Sequence, residues 1–210
     1  QCMSMGFLTE EQTPMIWRGP MVTSAIKTFA QKVDWKDLDF IIVDMPPGTG
    51  DTQLTFAQEI KLDSVIIIST PQEIALQDVK RGIRMFDKLG VDIFGLVDNM
   101  SYFVADDGKK YPLFGEGGVQ KTAEDFKKNF LGEIPLDPEV GKQGDNGKPI
   151  VESNVTSNIS EIFIGLAKKI KAIVDKERIT KVERDTLRKF IKSRTGRKPS
   201  KHRNSQKKGK

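Results

Sequence analysis

Four short apolar runs punctuate the chain, and none of them alternates with polar residues. They are Phe40–Val43, Val65–Ile68, Ile93–Val97 and the weaker Phe130–Ile134. Unbroken runs rich in β-branched residues predict strands buried on both faces, as in a parallel sheet. Between them the apolar positions recur at helical spacing. Met21, Val22, Ala25, Ile26, Phe29, Ala30 and Val33 follow Gly19-Pro20, and proline suits the first turn of a helix. Residues 74–89 set Ala75, Leu76, Val79, Ile83, Phe86 and Leu89 on one stripe, with Gly90 as the stop. Residues 116–128 predict a shorter, more polar helix, and 159–174 the most regular one. Alternating strands and helices predict an α/β fold: a mostly parallel sheet with flanking helices and right-handed crossovers.

Composition narrows the class. Charged residues make up 30% of the chain and apolar ones 37%, the balance of a water-soluble globular protein. No apolar run is long enough for a transmembrane helix. The segment Gln1–Gln12 lacks the basic and apolar regions of a secretory signal, so the expected location is cytoplasmic. The single cysteine, Cys2, excludes an internal disulfide and any site built from several thiolates of one chain. It reads as a small buried apolar residue. With His202 as the lone histidine, a Ser-His-Asp triad has almost no material.

Charge divides the chain. Residues 176–210 carry fifteen Lys/Arg against three Asp/Glu, although the whole chain is only +5. The basic balance therefore belongs to the tail, and the body is acidic. The expected organisation is a body over 1–175, a charged helical extension over 176–192 and a basic disordered tail over 193–210. Lacking Phe, Tyr or Trp to stack on bases, the tail is expected either to bind polyanions nonspecifically or to be a solvated charge run with no partner.

Chemistry in a parallel sheet gathers outside the carboxyl ends of the strands. The runs end at Asp44, Ser69-Thr70-Pro71, Asp98-Asn99 and Ile134-Pro135. An acid closing an apolar strand is how a Walker-B site holds Mg²⁺, usually through water; an isolated one simply caps a turn. Here Asp44 leads into Pro46-Pro47-Gly48-Thr49-Gly50-Asp51. Two prolines stiffen that loop, and two glycines let backbone N–H groups approach an anion. Other features are plainer. Trp17-Arg18 reads as an interface contact or a packed Trp. Lys80 and Arg81 face a partner or solvent, and Gly115–Gly118 is an anion nest or a helix entry.

The run DMPPGTGD (44–51) resembles the Mrp/ApbC group of P-loop ATPases, iron–sulfur cluster carriers related to MinD and ParA. The resemblance covers about residues 2–174 through CMSMGFL (2–8), WRGPM (17–21), STPQEIALQDVKRG (69–82), GLVDNMSYF (95–103), FGEGG (114–118), GEIPLDPE (132–139) and GKPIV (147–151). It implies a SIMIBI-type P-loop fold, incomplete at its N-terminus. Asp44 would be the Walker-B acid holding Mg²⁺ through water, and Gly48 to Asp51 the switch II loop reading the γ-phosphate of ATP. Asn99 would contact adenine, with Pro135 and Leu136 against the base; without the resemblance Asn99 is equally a turn residue after a strand.

Two features depart from the family pattern. No glycine-rich Walker A segment is present, so the sequence reads as a C-terminal portion of a longer protein, expected to be inactive alone. The C-x-x-C that would hold a [4Fe–4S] cluster across a dimer is replaced by Val104–Tyr111, which has no cysteine. Aspartates such as Asp106 and Asp107 are poor substitutes for thiolates, so no iron–sulfur ligand is identified. The resemblance implies an ATP-binding, ATP-hydrolysing iron–sulfur carrier that works as a homodimer on client apo-proteins. The alternatives are a MinD/ParA-like positioning ATPase and a non-catalytic scaffold that has lost the P-loop.

Overall fold

A computed structural model describes residues 1–7, 19–45, 51–60 and 62–195. They fall into two compact units, Gln1–Leu166 and Ala167–Lys210. In the first, a 3₁₀ turn (Met5–Phe7) precedes α1 (Gly19–Lys32) and α2 (Asp51–Glu59). Then follow β1 (Ser64–Ser69), α3 (Glu73–Leu89), β2 (Asp92–Val104), β3 (Lys110–Tyr111), α4 (Gly118–Asp125), β4 (Phe130–Leu136), α5 (Pro138–Asp145) and α6 (Ile150–Ser153). The last helix, α7, runs from Asn158 to Thr195 and supplies the described part of the second unit.

β2 is the axis of the sheet. It pairs in parallel with β1 on one side and with β4 on the other, while β3 folds back on it as a short antiparallel hairpin. The reason is in the side chains: Ile93 to Asp98 are all buried, so this strand needs cover on both faces. One face is covered by α3 and α4, where Leu76, Val79 and Ile83 meet Ile93, Leu96, Val119 and Ala123. α3 stops where Gly90 takes a left-handed φ of 69° and its N–H bonds the carbonyls of Phe86 and Asp87, the role expected of a glycine at that point. α7 begins over a polar clasp. Ser160 is fully buried, and its hydroxyl donates to the carbonyls of Ile150 (3.0 Å) and Asn154 (2.7 Å).

Three strands and four helices thus form near their expected positions, and four expectations need correction. Phe40–Val43 is not a strand. Its residues lie in irregular backbone with Ile41 and Ile42 58% and 93% exposed. A strand needs a neighbour's backbone groups, and among the described residues no strand pairs with this run. α2 occupies residues left without an assignment, because Leu54 and Phe56 among polar neighbours make only a faint stripe. β2 runs seven residues past Val97, into a hairpin that apolar patterning does not mark. Cys2 is exposed rather than buried, since its segment forms only the 3₁₀ turn and Phe7 beside it is itself 67% exposed. The tail residues 196–210 lie outside the described residues, as do Trp17 and Arg18.

Candidate functional site

The carboxyl-terminal stretches of β1 and β4 meet in one row with the middle of β2. Ser69 of β1 pairs with Asp98, and Asp98 pairs with Glu133 of β4. One residue further, Asn99 pairs with Ile134, which leads into Pro135 and Leu136. The parallel topology alone brings these groups together, because all three strands end on the same side. Three sequence-predicted residues, Asn99, Pro135 and Leu136, therefore share one ledge: Asn99 and Leu136 half-buried, Pro135 buried. Asp137 continues from it and caps α5, its carboxylate accepting from the N–H of Glu139 at 2.8 Å.

The loop after β1 is fixed from below. The Ser69 hydroxyl donates to the Thr70 carbonyl at 2.8 Å, and Pro71 is buried. Gly118, at the start of α4, comes so close that a β-carbon there would lie 2.9 Å from the Pro71 carbonyl and 2.6 Å from Leu76. Gly117 supports this approach with a φ of 69°. The segment Gly115–Gly118 is thus a tight helix entry packed on the strand-end loop.

Asp98, named with Asn99 at a strand end, is the residue to which the sequence assigned no role. It is 1% exposed, and its Oδ1 has no hydrogen-bond partner. Burial, helped by the nearby charge of Glu133, pushes its carboxyl up to about 6. Its position between an apolar strand and Asn99 is the available signal: a carboxylate in a run otherwise buried on both faces.

The remaining predicted residues stand apart from this ledge. Asp44 lies outside the sheet, exposed in irregular backbone. Gly48 falls outside the described residues, and Asp51 opens α2. Lys80 pairs with Glu73 at 3.6 Å and Arg81 with Asp78 at 3.0 Å, both along α3 itself. A shallow apolar cavity of about 460 Å³ opens beside α5 and α6, lined by Val140, Lys148, Pro149 and Phe163 among others. None of the sequence-predicted site residues lines it.

The donor chemistry suits one metal and not the other. Asp44 is a hard oxygen donor, of the type that holds Mg²⁺ through water. A resident [4Fe–4S] cluster needs thiolates, and the residues present do not fit one. Val104–Tyr111 forms the β2–β3 hairpin, closed by Ala105 N–H to the Lys109 carbonyl at 3.0 Å and by Asp107, which accepts from the Lys109 N–H at 3.0 Å. Among the described residues no group of three or more His, Cys, Asp or Glu could hold a metal ion, and no helix is long and apolar enough to cross a membrane.

Comparison with known proteins follows the same lines. The chain is 42% identical over 175 residues to the iron-sulfur cluster carrier protein of Aquifex aeolicus, covering 82% of this chain and 48% of that one. It is 46% identical over 171 residues to an Arabidopsis thaliana mitochondrial iron-sulfur protein required for NADH dehydrogenase, covering 81% and 55%. With the mouse iron-sulfur cluster transfer protein NUBPL the identity is 44% over 170 residues, covering 80% and 53%. The chain thus spans about half the length of the curated relatives it matches. Among solved structures, a nucleotide-binding protein from Archaeoglobus fulgidus in complex with ADP is 37% identical with a TM-score of 0.56, covering 61% of this chain and 53% of that one. The cell-division ATPase MinD of Pyrococcus furiosus, 20% identical, shares the fold with a TM-score of 0.54, covering 74% and 59%. The family described as NUBPL iron-transfer P-loop NTPase matches residues 1–171, and the chain belongs to that family.

Proposed function

We propose that this chain is the switch II and base-binding part of an ATP-hydrolysing iron–sulfur cluster carrier. The observation that carries the proposal is the common ledge of Asn99, Pro135 and Leu136 at the carboxyl edge of a parallel sheet. A carboxamide there can donate to and accept from a purine edge at once, and a buried proline beside a leucine offers the base an apolar wall. In this reading Asp44 orients hydrated Mg²⁺, which neutralises charge on the phosphates when bound, and Gly48 to Asp51 respond to the γ-phosphate.

The phosphate cradle belongs, in the proposal, to sequence of the kind that makes up the other half of the relatives' length. The exposed run Phe40–Val43 supports this, because four adjacent apolar residues left in water are poorly placed unless a neighbouring strand covers them. The complete protein would act as a homodimer. It would carry an iron–sulfur cluster as cargo to apo-protein clients in the cytoplasm, where thiols stay reduced. The cluster's ligands are not sought in the β2–β3 hairpin.

The test joins this chain to the P-loop-bearing half of the Aquifex aeolicus carrier. The chain alone is expected to show no ATP turnover. The joined protein is expected to hydrolyse ATP with Mg²⁺ and to lose most of that turnover in Asp44→Asn. Turnover by the chain alone, or a folded joined protein that hydrolyses ATP equally well with Asn at position 44, would refute the assignment.

A further inference from the structure

Just beyond Asn99 the β2–β4 ladder breaks. Asn99 pairs with Ile134, yet the next paired residues are Phe103 and Leu136. Four steps along β2 thus match two along β4. The irregularity is carried by β2, where Met100, Ser101 and Tyr102 go unpaired with β4. Pro135, the penultimate residue of β4, costs the ladder no donor: the Ile134 carbonyl is bonded from β2, so the next peptide nitrogen points to the other side of the strand.

Two features hold the bulge in one shape. Met100 takes a φ of 55°, a left-handed conformation uncommon for a residue with a β-carbon and kept only where the surroundings enforce it. Ser101 is buried, and its hydroxyl donates to the Ile134 carbonyl at 3.2 Å. That bond crosses from the bulge of β2 to the residue opposite Asn99, replacing a ladder bond with a side-chain one. Without it, β2 has no tie to β4 between the Asn99–Ile134 pair and the Phe103–Leu136 pair that closes the bulge.

We infer that Ser101 is a positioning residue for base recognition: its hydroxyl locks the bulged end of β2 to Ile134, so that Asn99 and the Pro135–Leu136 wall present one rigid ledge selective for adenine. The inference rests on the base-binding reading of Asn99. Ser101 touches no nucleotide in this account and acts through the backbone. Bulges beside binding sites commonly re-aim one side chain in this way.

The experiment uses the full 210-residue chain with adenosine and inosine as probes at millimolar concentration, their affinities read by saturation-transfer and titration NMR. Inosine keeps the ring shape and sugar but replaces the 6-amino group. The unmodified chain is expected to prefer adenosine. Ser101→Ala is expected to cut that preference by about threefold or more, the loss of one hydrogen bond's geometry, and Ser101→Thr, which keeps the hydroxyl, to retain it. Thermal unfolding of each variant separates a general loss of stability, which would weaken both ligands alike, from a change in their ratio. An unchanged ratio in Ser101→Ala, with the ratio flattened in Asn99→Ala, would overturn the inference and leave the base-binding reading standing. A ratio unaffected by Asn99→Ala, or no transfer to adenosine at all, would overturn both.

Discussion

Asp98 lies opposite Glu133 in the β2–β4 ladder, two carboxylates side by side with the first one buried. A carboxylate that cannot reach water and has an acidic neighbour favours its protonated form, and this carboxyl moves from 3.8 up to about 6.

The sign of the pH effect follows. Between about pH 4 and pH 6 the folded chain holds a proton on Asp98 that the unfolded chain has released. Stability from this group is complete below the unfolded value and is lost as pH rises through about 6. Asp98→Asn is expected to flatten that slope in urea melts from pH 4 to pH 8. The variant should gain about 2 to 3 kcal/mol over the parent at neutral pH and little near pH 4. Parallel pH profiles for parent and variant would show that Asp98 finds a partner for its charge.

A second expectation concerns the other irregularity of β2. The Asn129 carbonyl accepts from the Leu96 N–H at 2.9 Å, and the Asn129 side chain donates to the Phe94 carbonyl at 2.8 Å. A β-carbon at Gly95 would stand 2.6 Å from that same Asn129 carbonyl and 2.7 Å from Leu131. Backbone cannot step aside cheaply, so Gly95→Ala is expected to cost about 1 to 3 kcal/mol in chemical denaturation. Gly141→Ala serves as the control, because nothing lies within 4 Å of its added carbon. Equal losses at the two positions would mean that the β2–β4 contact is loose.

These residues also show what a linear reading reaches. The strand Ile93–Val97 was legible because burial on both faces leaves an unbroken apolar run, Val65–Ile68 was legible from its β-branched run although it is only half-buried and Ile68 is exposed, and Gly90 was legible as a stop because a left-handed residue after an amphipathic stripe favours glycine. Phe40–Val43 has the same composition as those strands, yet composition records only a preference for burial and not whether a partner strand stands beside it. The bulge at Met100 and Ser101 was invisible, since it exists only against β4, more than thirty residues away and adjacent only through the ladder. Asp98 was named at a strand end but given no role for a related reason: one acid at a strand end looks the same in sequence whether it faces water or is buried. Asn99, Pro135 and Leu136 came from family resemblance, and the topology then gathered them.

The thiol count yields a third expectation. Cys2 is exposed, and the β2–β3 hairpin contains no sulfur. Anaerobic incubation of the chain with iron and sulfide is expected to leave no stable cluster absorption after desalting. A near-stoichiometric [4Fe–4S] spectrum that disappears in Cys2→Ser would reverse this and make Cys2 a ligand shared between chains.

The last expectation concerns the basic C-terminal segment. Residues 193–210 contain eight Lys/Arg and no Asp, Glu, Phe, Tyr or Trp. Such a segment can neutralise phosphates and offers only the His202 imidazole to stack on a base, so we propose that it binds RNA chiefly through the phosphates, without regard to sequence. Each neutralised phosphate releases condensed counterion, and with all eight charges engaged the logarithm of affinity should fall against the logarithm of salt with a slope of about −6 for a single strand. A truncation ending at Lys192 keeps α7 except its last three residues and removes only this segment. It should bind more weakly at low salt and show a much shallower slope, while homopolymers of different base should bind the full chain alike. Equal affinity and slope in the two chains would place the binding element elsewhere, and a strong base preference would contradict the purely electrostatic account.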